Sequence, residues 1–246
     1  MRYRHARALL VLACLVLCGC ISGPQQRTYN REANANLKTI DVLPMRKGEI
    51  DLLIVNNPGY SFGLIGFAIA EANRAPKANW LKEQVRTNNF DAVSTFRNAL
   101  DDAMRERGYE LRWSDPVMEG DGSKTRRNNW GLRKEYVSAS ADAQLDVNFG
   151  FIGYAAAGSG DSAPYRPTVV TVARLVSADG KRVLFEDHII YNSVFPWQGK
   201  AITLNPDERY RYPDFDDLKA AGSTVVDGLG PAFEAVAVEL ARQLQK

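Results

Sequence analysis

The segment YRPTVVTVARLVSADGKRVLFEDHIIYNSVF, residues 165–195, decides the fold. Two β-branched runs flank Ala178, Asp179, Gly180 and Lys181, and so short a connection joins neighbouring strands in antiparallel order. AQLDVNFGFIGYAA (143–156) reads as the strand before them. Further upstream, EIDLLIVNN (49–57) is a near-continuous apolar run closed by Asn-Asn-Pro-Gly, the mark of a buried strand. A short strand over 40–43 precedes it.

Helices fit around this sheet. In TNNFDAVSTFRNALDDAMRERGYELRWS (87–114), Phe90, Val93, Phe96, Leu100 and Met104 recur at three and four, one face of an amphipathic helix. Asn88 or Asn89 can cap its start, Asp91 suits its N-terminus, and Arg105 and Arg107 suit its last turn. Gly108 stands where a left-handed residue ends a helix, and Tyr109, Leu111 and Trp113 then alternate as a strand. Val225, Val226, Leu229, Phe233, Val236, Ala237, Leu240 and Leu244 form one stripe of a closing helix, kinked or restarted near Gly230-Pro231. Residues 131–142 read as a short helix. The sum is α+β: an antiparallel or mixed sheet of about five strands, two or three helices mainly on one face, and a C-terminal amphipathic helix. At 45% apolar residues, residues 40–246 suffice for one domain with its own core.

SFGLIGFAIAEANRA (61–75) surrounds two glycines with Phe62, Leu64, Ile65, Phe67 and Ile69. It reads either as a helix buried tightly on the sheet or as a surface that touches lipid or a partner; it is too short to cross a bilayer. Residues 196–222 are long, aromatic and mixed in charge. Trp197, Tyr210, Tyr212 and Phe215 there are candidate contacts, since aromatic side chains concentrate in interface cores; the alternative is a loop folded back on its own domain. The polar loop 115–130 lacks calcium-ligand spacing, and the glycine-rich 158–164 lacks the Gly-Lys-Ser/Thr of a phosphate loop.

The start of the chain is basic at Arg2, Arg4 and Arg7, then apolar from Ala8 to Leu17, and small at Cys18 and Gly19. That order is a secretory signal. Leu17-Cys18-Gly19-Cys20 resembles the lipobox of bacterial lipoproteins, and the resemblance implies cleavage between Gly19 and Cys20 and a lipid on the Cys20 sulfur. Two or three acyl chains hold a protein durably where one does not. The alternatives are a thiol metal or redox site, which the leucine-rich surroundings of Cys14 and Cys18 speak against, and a secreted protein cut without lipidation. The expected organisation is a signal over 1–19, a lipidated and flexible tether over 20–39, and a domain over 40–246. Ile21 rather than Asp after Cys20 implies, by resemblance to Gram-negative sorting, the outer membrane with the domain facing the periplasm. Removing residues 1–19 takes away three arginines and no acid, so Lys+Arg falls from 31 to 28 against 29 Asp+Glu. The slight basicity of the whole chain belongs to the signal, and with it goes the argument for a nucleic-acid partner.

Catalytic motifs are missing. His188 in FEDHIIY shares a strand face with Glu186, too few ligands for a metal, and no nucleophile-elbow serine accompanies it. Asp214, Asp216 and Asp217 around Phe215 could form a carboxylate pair, but acids there more often start a helix. No metal and no cofactor is expected. The element order behind a lipid anchor resembles the small α+β domains of Gram-negative periplasmic lipoproteins, the TolB N-terminal domain and the penicillin-binding-protein activators. GLIG (63–66) and RYRYPDFDDL (209–218) are similar to uncharacterised proteobacterial lipoproteins. The resemblance implies a non-enzymatic binding or assembly module that contacts another envelope protein, with Phe62, Leu64, Phe67, Trp197, Tyr210, Tyr212 and Phe215 as contacts. The rival reading is a lipid-anchored hydrolase of a cell-wall or envelope substrate.

Overall fold

The computed structural model describes residues 26–46, 48–55, 57, 61, 63–114, 126–158, 164–194 and 200–245. The strands are β1 (Thr39–Val42), β2 (Ile50–Ile54), β3 (Glu110–Trp113), β4 (Ala143–Ala156), β5 (Tyr165–Ser177), β6 (Val183–Tyr191) and β7 (Ile202–Leu204). The helices are α1 (Gly63–Thr87), α2 (Ala92–Glu106), α3 (Phe215–Ala220), α4 (Thr224–Asp227) and α5 (Leu229–Gln243). All seven strands share one mixed sheet in the order β3-β1-β4-β5-β6-β7, with β2 also on β4. The α+β expectation is correct; the sheet has seven strands rather than about five, and the one without a sequence pattern is β7, an edge piece of three residues.

The hairpin forms as its turn residues require: β4, β5 and β6 are antiparallel neighbours. β1 and β2 both run parallel to β4, one after the other along the same edge. Val42 pairs with Leu145 and Ile50 with Ile152, so between these points the chain leaves the edge of β4. Opposite that gap the β4–β5 register shifts between Phe149 and Phe151, a bulge that leaves Gly150 unpaired and bends the strand.

Helices α2 and α5 cover one face. Phe96, Leu100 and Met104 of α2 are fully buried, as are Leu229, Phe233, Val236, Ala237 and Leu240 of α5. All of these but Leu229 join Leu145, Val147, Ala173, Leu175, Phe185 and Ile189 from the sheet in the main core, and Leu229 belongs to a second cluster with Leu52, Leu81 and Tyr154. Asp91, not Asn88 or Asn89, caps α2; its carboxylate accepts from the backbone N–H groups of Val93 and Ser94. The two asparagines instead end α1, where Asn88 donates to Gln84 and Asn89 adopts φ 53°. Gly108 is left-handed at φ 74°, as the helix end required. The closing helix breaks at Gly228, so Pro231 falls in the first turn of α5, where its missing N–H costs nothing.

Three local expectations are corrected. Residues 131–142 hold no helix; their polar side chains are used across the sheet. The helix expected over 61–75 continues through Pro76 to Thr87. The flexible tether does not extend to residue 39: Gln26 donates to Asp187 and to the Lys200 carbonyl, Arg27 pairs with Glu186, and Tyr29 and Leu37 are buried. Arg27 and β7 together cover the outer edge of β6, which would otherwise present unpaired backbone groups.

A groove on the second face of the sheet

The face of β4–β6 turned away from the helices carries two polar rows. Asp146, Arg174 and Glu186 are direct cross-strand partners, and beside them stand Asn148, Val172 and His188. Instead of a helix, residues 126–137 lie over these rows. Their fold is local: Asn128 accepts through Oδ1 from the Trp130 and Leu132 N–H groups, and Gly131 closes the turn at φ 80°. A side chain at Gly131 would collide with Asn148, whose amide donates to the Trp130 carbonyl at 3.0 Å.

Asp146 is fully buried and is the hub beneath this cover. It accepts from the Arg133 backbone N–H at 2.7 Å, from the Arg133 guanidinium, and from Tyr136 Oη at 3.1 Å. Arg133 also donates to the Pro44 carbonyl, tying in the segment that leaves β4. Arg174 is held by Glu186 at 2.7 Å and donates to the Arg133 carbonyl. Arg127 lies 3.9 Å from Asp146 and gives a hydrogen bond to the Gly131 carbonyl. Burial first, and then the Arg133 and Arg46 charges against the pull of Asp146, hold the Arg127 guanidinium below its ordinary pKa range.

Where β1 and β2 part from β4, a groove of about 640 Å³ opens. Arg46, Gly48 and Glu49 form one wall, the 127–131 turn the other, and Asn148, Phe151, Val170, Val172 and His188 the floor. The His188 ring sits edge-on to Trp130 at 4.9 Å. Its burial lowers the imidazole pKa to about 4.

That shift has a consequence for stability. The unfolded imidazole protonates near pH 6.5, the folded one near 4, so between these values the unfolded chain binds more protons and stability falls as pH falls. The full loss on acidification from pH 7 to below 4 is about 3 kcal/mol. Urea denaturation of the wild type and of His188→Gln across this range checks it: the variant should lose the His188 part of the slope.

The sequence-derived contact residues fall elsewhere. Phe62, Trp197, Gly19 and Cys20 lie outside the described residues. Leu64 and Phe67 are exposed on the first turns of α1. Tyr212, Phe215 and Tyr210 pack on their own domain: Tyr212 exchanges backbone hydrogen bonds with Tyr165 and its ring meets Tyr154, while Phe215 meets Trp80 at 5.7 Å and Tyr165 at 6.3 Å. Tyr210 lies against Gly228. The described part of this segment, residues 200–222, thus folds back on its domain. Asp214 caps α3 by accepting from the Asp217 N–H, and Asp216 and Asp217 fill the first turn. Among the described residues no three His, Cys, Asp or Glu side chains converge on a metal position, and no helix is long and apolar enough to cross a membrane. The groove residues Arg46, Arg127 and Asn148 carry no signal in the sequence, and Asn128-Asn129-Trp130-Gly131, a turn sequence with an aromatic tip, is divided there between a polar loop and an expected helix.

The fold and this groove define an α+β domain with a mixed seven-stranded sheet, helices on one face and a polar-rimmed groove on the other. No family model matches the chain, and no curated protein does. Among solved structures it is distantly similar to a Xanthomonas campestris protein of family DUF330, at 12% identity and a TM-score of 0.36 over 89% of this chain and 90% of that one.

Proposed function

We propose that the chain is a lipid-anchored binding or assembly module of a Gram-negative cell envelope, held to the periplasmic face of the outer membrane through Cys20 and contacting another envelope protein. The observation that carries this reading is the start of α1. Leu64, Ile65, Phe67 and Ile69 are 89, 78, 52 and 67% exposed, and Ala70 is the first buried residue of the helix. The cause is geometric. α1 runs opposite to β2, with Lys82 and Val85 near Ile50 and Ala70 near Ile54, so its first turns overshoot the end of the sheet. An apolar cluster of this kind marks an interaction surface.

Its position favours a protein partner over the bilayer. The described residues begin at Gln26, with five residues between it and Cys20, and an extended chain from Cys20 to Gln26 spans at most about 20 Å. Arg27, the next residue, pairs with Glu186, which is level with Asp146 of β4. The α1 overshoot begins at the level of Ala156, ten residues further along β4, roughly 33 Å away. A lipid on Cys20 therefore holds one end of the sheet near the membrane and turns the apolar cluster toward the periplasm.

Two measurements test the reading. Cys20→Ser should release the protein from the membrane fraction and abolish acyl labelling. A photo-crosslinking residue at Leu64 or Ile69 should give a discrete protein adduct in cells, whereas one at the exposed Val137 should not. A Cys20→Ser protein that stays acylated, or Leu64 adducts with lipid alone, would overturn the anchor and the partner surface respectively.

A further inference from the structure

We propose that the groove between Arg46, Gly48 and Glu49, the 127–131 turn and strands β4–β6 binds a small amphiphilic anion, a carboxylate or phosphate group carried on an apolar body. The site is separate from the anchor and from the apolar start of α1, and it does not depend on either. Its volume, about 640 Å³, lies in the range of small-molecule sites.

The charge balance sets the sign of the ligand. Two arginines, Arg127 and Arg133, face one buried carboxylate, Asp146, and Arg46 lines the same groove from the other wall. That carboxylate is already occupied by two donors of Arg133 and by Tyr136, and Arg127 stands off at 3.9 Å. Arg174 brings no net charge, because Glu186 pairs with it at 2.7 Å. Arg127 has 11% of its side chain exposed, and its hydrogen bond to Gly131 uses only Nη1 among five guanidinium N–H donors. A buried cation facing a cavity with unspent donors is stabilised by an anion, and the planar guanidinium suits carboxylate or phosphate. Arg46 on the opposite wall adds a second cation. Glu49 on the rim faces Lys82 at 3.6 Å, and its charge restricts the anion to the Arg127 end.

The floor sets the rest of the ligand. Val170 and Val172 are buried, Phe151 is half-buried, and the Trp130 ring closes the side. Gly150 lines the floor without a side chain, and a Cβ there would stand over Val170. A free inorganic anion would leave these surfaces wet, whereas an acyl or aromatic body would cover them.

The test is a titration of the full chain, followed by tryptophan fluorescence, with octanoate and octyl phosphate as amphiphilic anions. Octanol serves as the apolar arm and inorganic phosphate as the anion arm. Both amphiphiles should saturate, with octanol and phosphate at least about tenfold weaker, the worth of a charge-assisted hydrogen bond. Arg127→Gln and Arg46→Gln should each weaken octyl phosphate binding, Arg127→Gln by about tenfold; Trp130→Phe should remove the fluorescence change. Arg46 is exposed, so its variant keeps the fold and decides the matter should Arg127→Gln unfold. Equal binding of octanol, equal binding of inorganic phosphate, no saturation by either amphiphile, or unchanged binding by the folded Arg46→Gln protein would each overturn the proposal.

Discussion

Replacing Asp146 by alanine should lower the unfolding free energy by about 3–5 kcal/mol, the cost of leaving buried cations without their counter-charge. Asp146 has no exposed surface and Arg133 is 9% exposed. Removing the carboxylate strands the Arg133 guanidinium, its backbone N–H and the Tyr136 hydroxyl together. It also takes away the negative charge 3.9 Å from Arg127. Asp146→Asn keeps the shape and one acceptor, so it should cost less than the alanine variant but more than a surface change. The partners cannot all relax into water, because Arg133 is pinned to the Pro44 carbonyl and the cover strand to Asn128. Urea denaturation gives the difference directly. A loss below about 1 kcal/mol, the range of exposed ion pairs, would mean that the 126–137 cover opens freely and that the groove has only one fixed wall.

Phe233→Ala should cost a similar amount, about 3–5 kcal/mol, by an unrelated route. The ring is fully buried on α5 and stands edge-on to Phe149 at 5.3 Å, with Phe90 at 6.1 Å. It joins α5, the sheet and the entry to α2, so its loss leaves a cavity lined by residues from three elements that cannot collapse together. Val238→Ala on the solvent side of the same helix is the control; Val238 is 49% exposed and its change should stay within about 0.5 kcal/mol. Equal effects from the two substitutions would sink the packing argument, because only helix propensity would then be at work.

These two residues differ in how far the sequence announces them. Phe233 belongs to a stripe of eight apolar positions from Val225 to Leu244, and all eight are buried. Its neighbours at three and four residues make the buried face legible before any contact is known. Asp146 sits in AQLDVNFGFIGYAA as an acid in a strand, and nothing local shows that it pairs with Arg133, thirteen residues away, beneath the 126–137 cover. Ion pairs of this kind are made by register and by chain reversals, not by periodicity. The same holds for Tyr212 and Phe215. Their composition resembled that of an interface, but a backbone bridge from Tyr212 to Tyr165 turns the segment inward.

The first turns of α1 failed in the opposite direction. Leu64, Ile65, Phe67 and Ile69 allow a buried helix as readily as an exposed one, and only the length of β2 relative to α1 leaves them beyond the sheet.

By itself, the sequence determined the elements whose causes are local: the β5–β6 hairpin from its turn residues, α2 from its apolar face and Gly108, and α5 from its stripe. It also carries a stretch at Ala8–Cys20 that resembles a signal and lipobox, a pattern read as linear text. The tertiary structure alone decided that β1 and β2 share one edge of β4 and part from it, that residues 126–137 roof the polar face, and that a groove with surplus positive charge lies between them. Local elements follow from neighbours in the chain; a groove exists only where separate segments fail to close against one another.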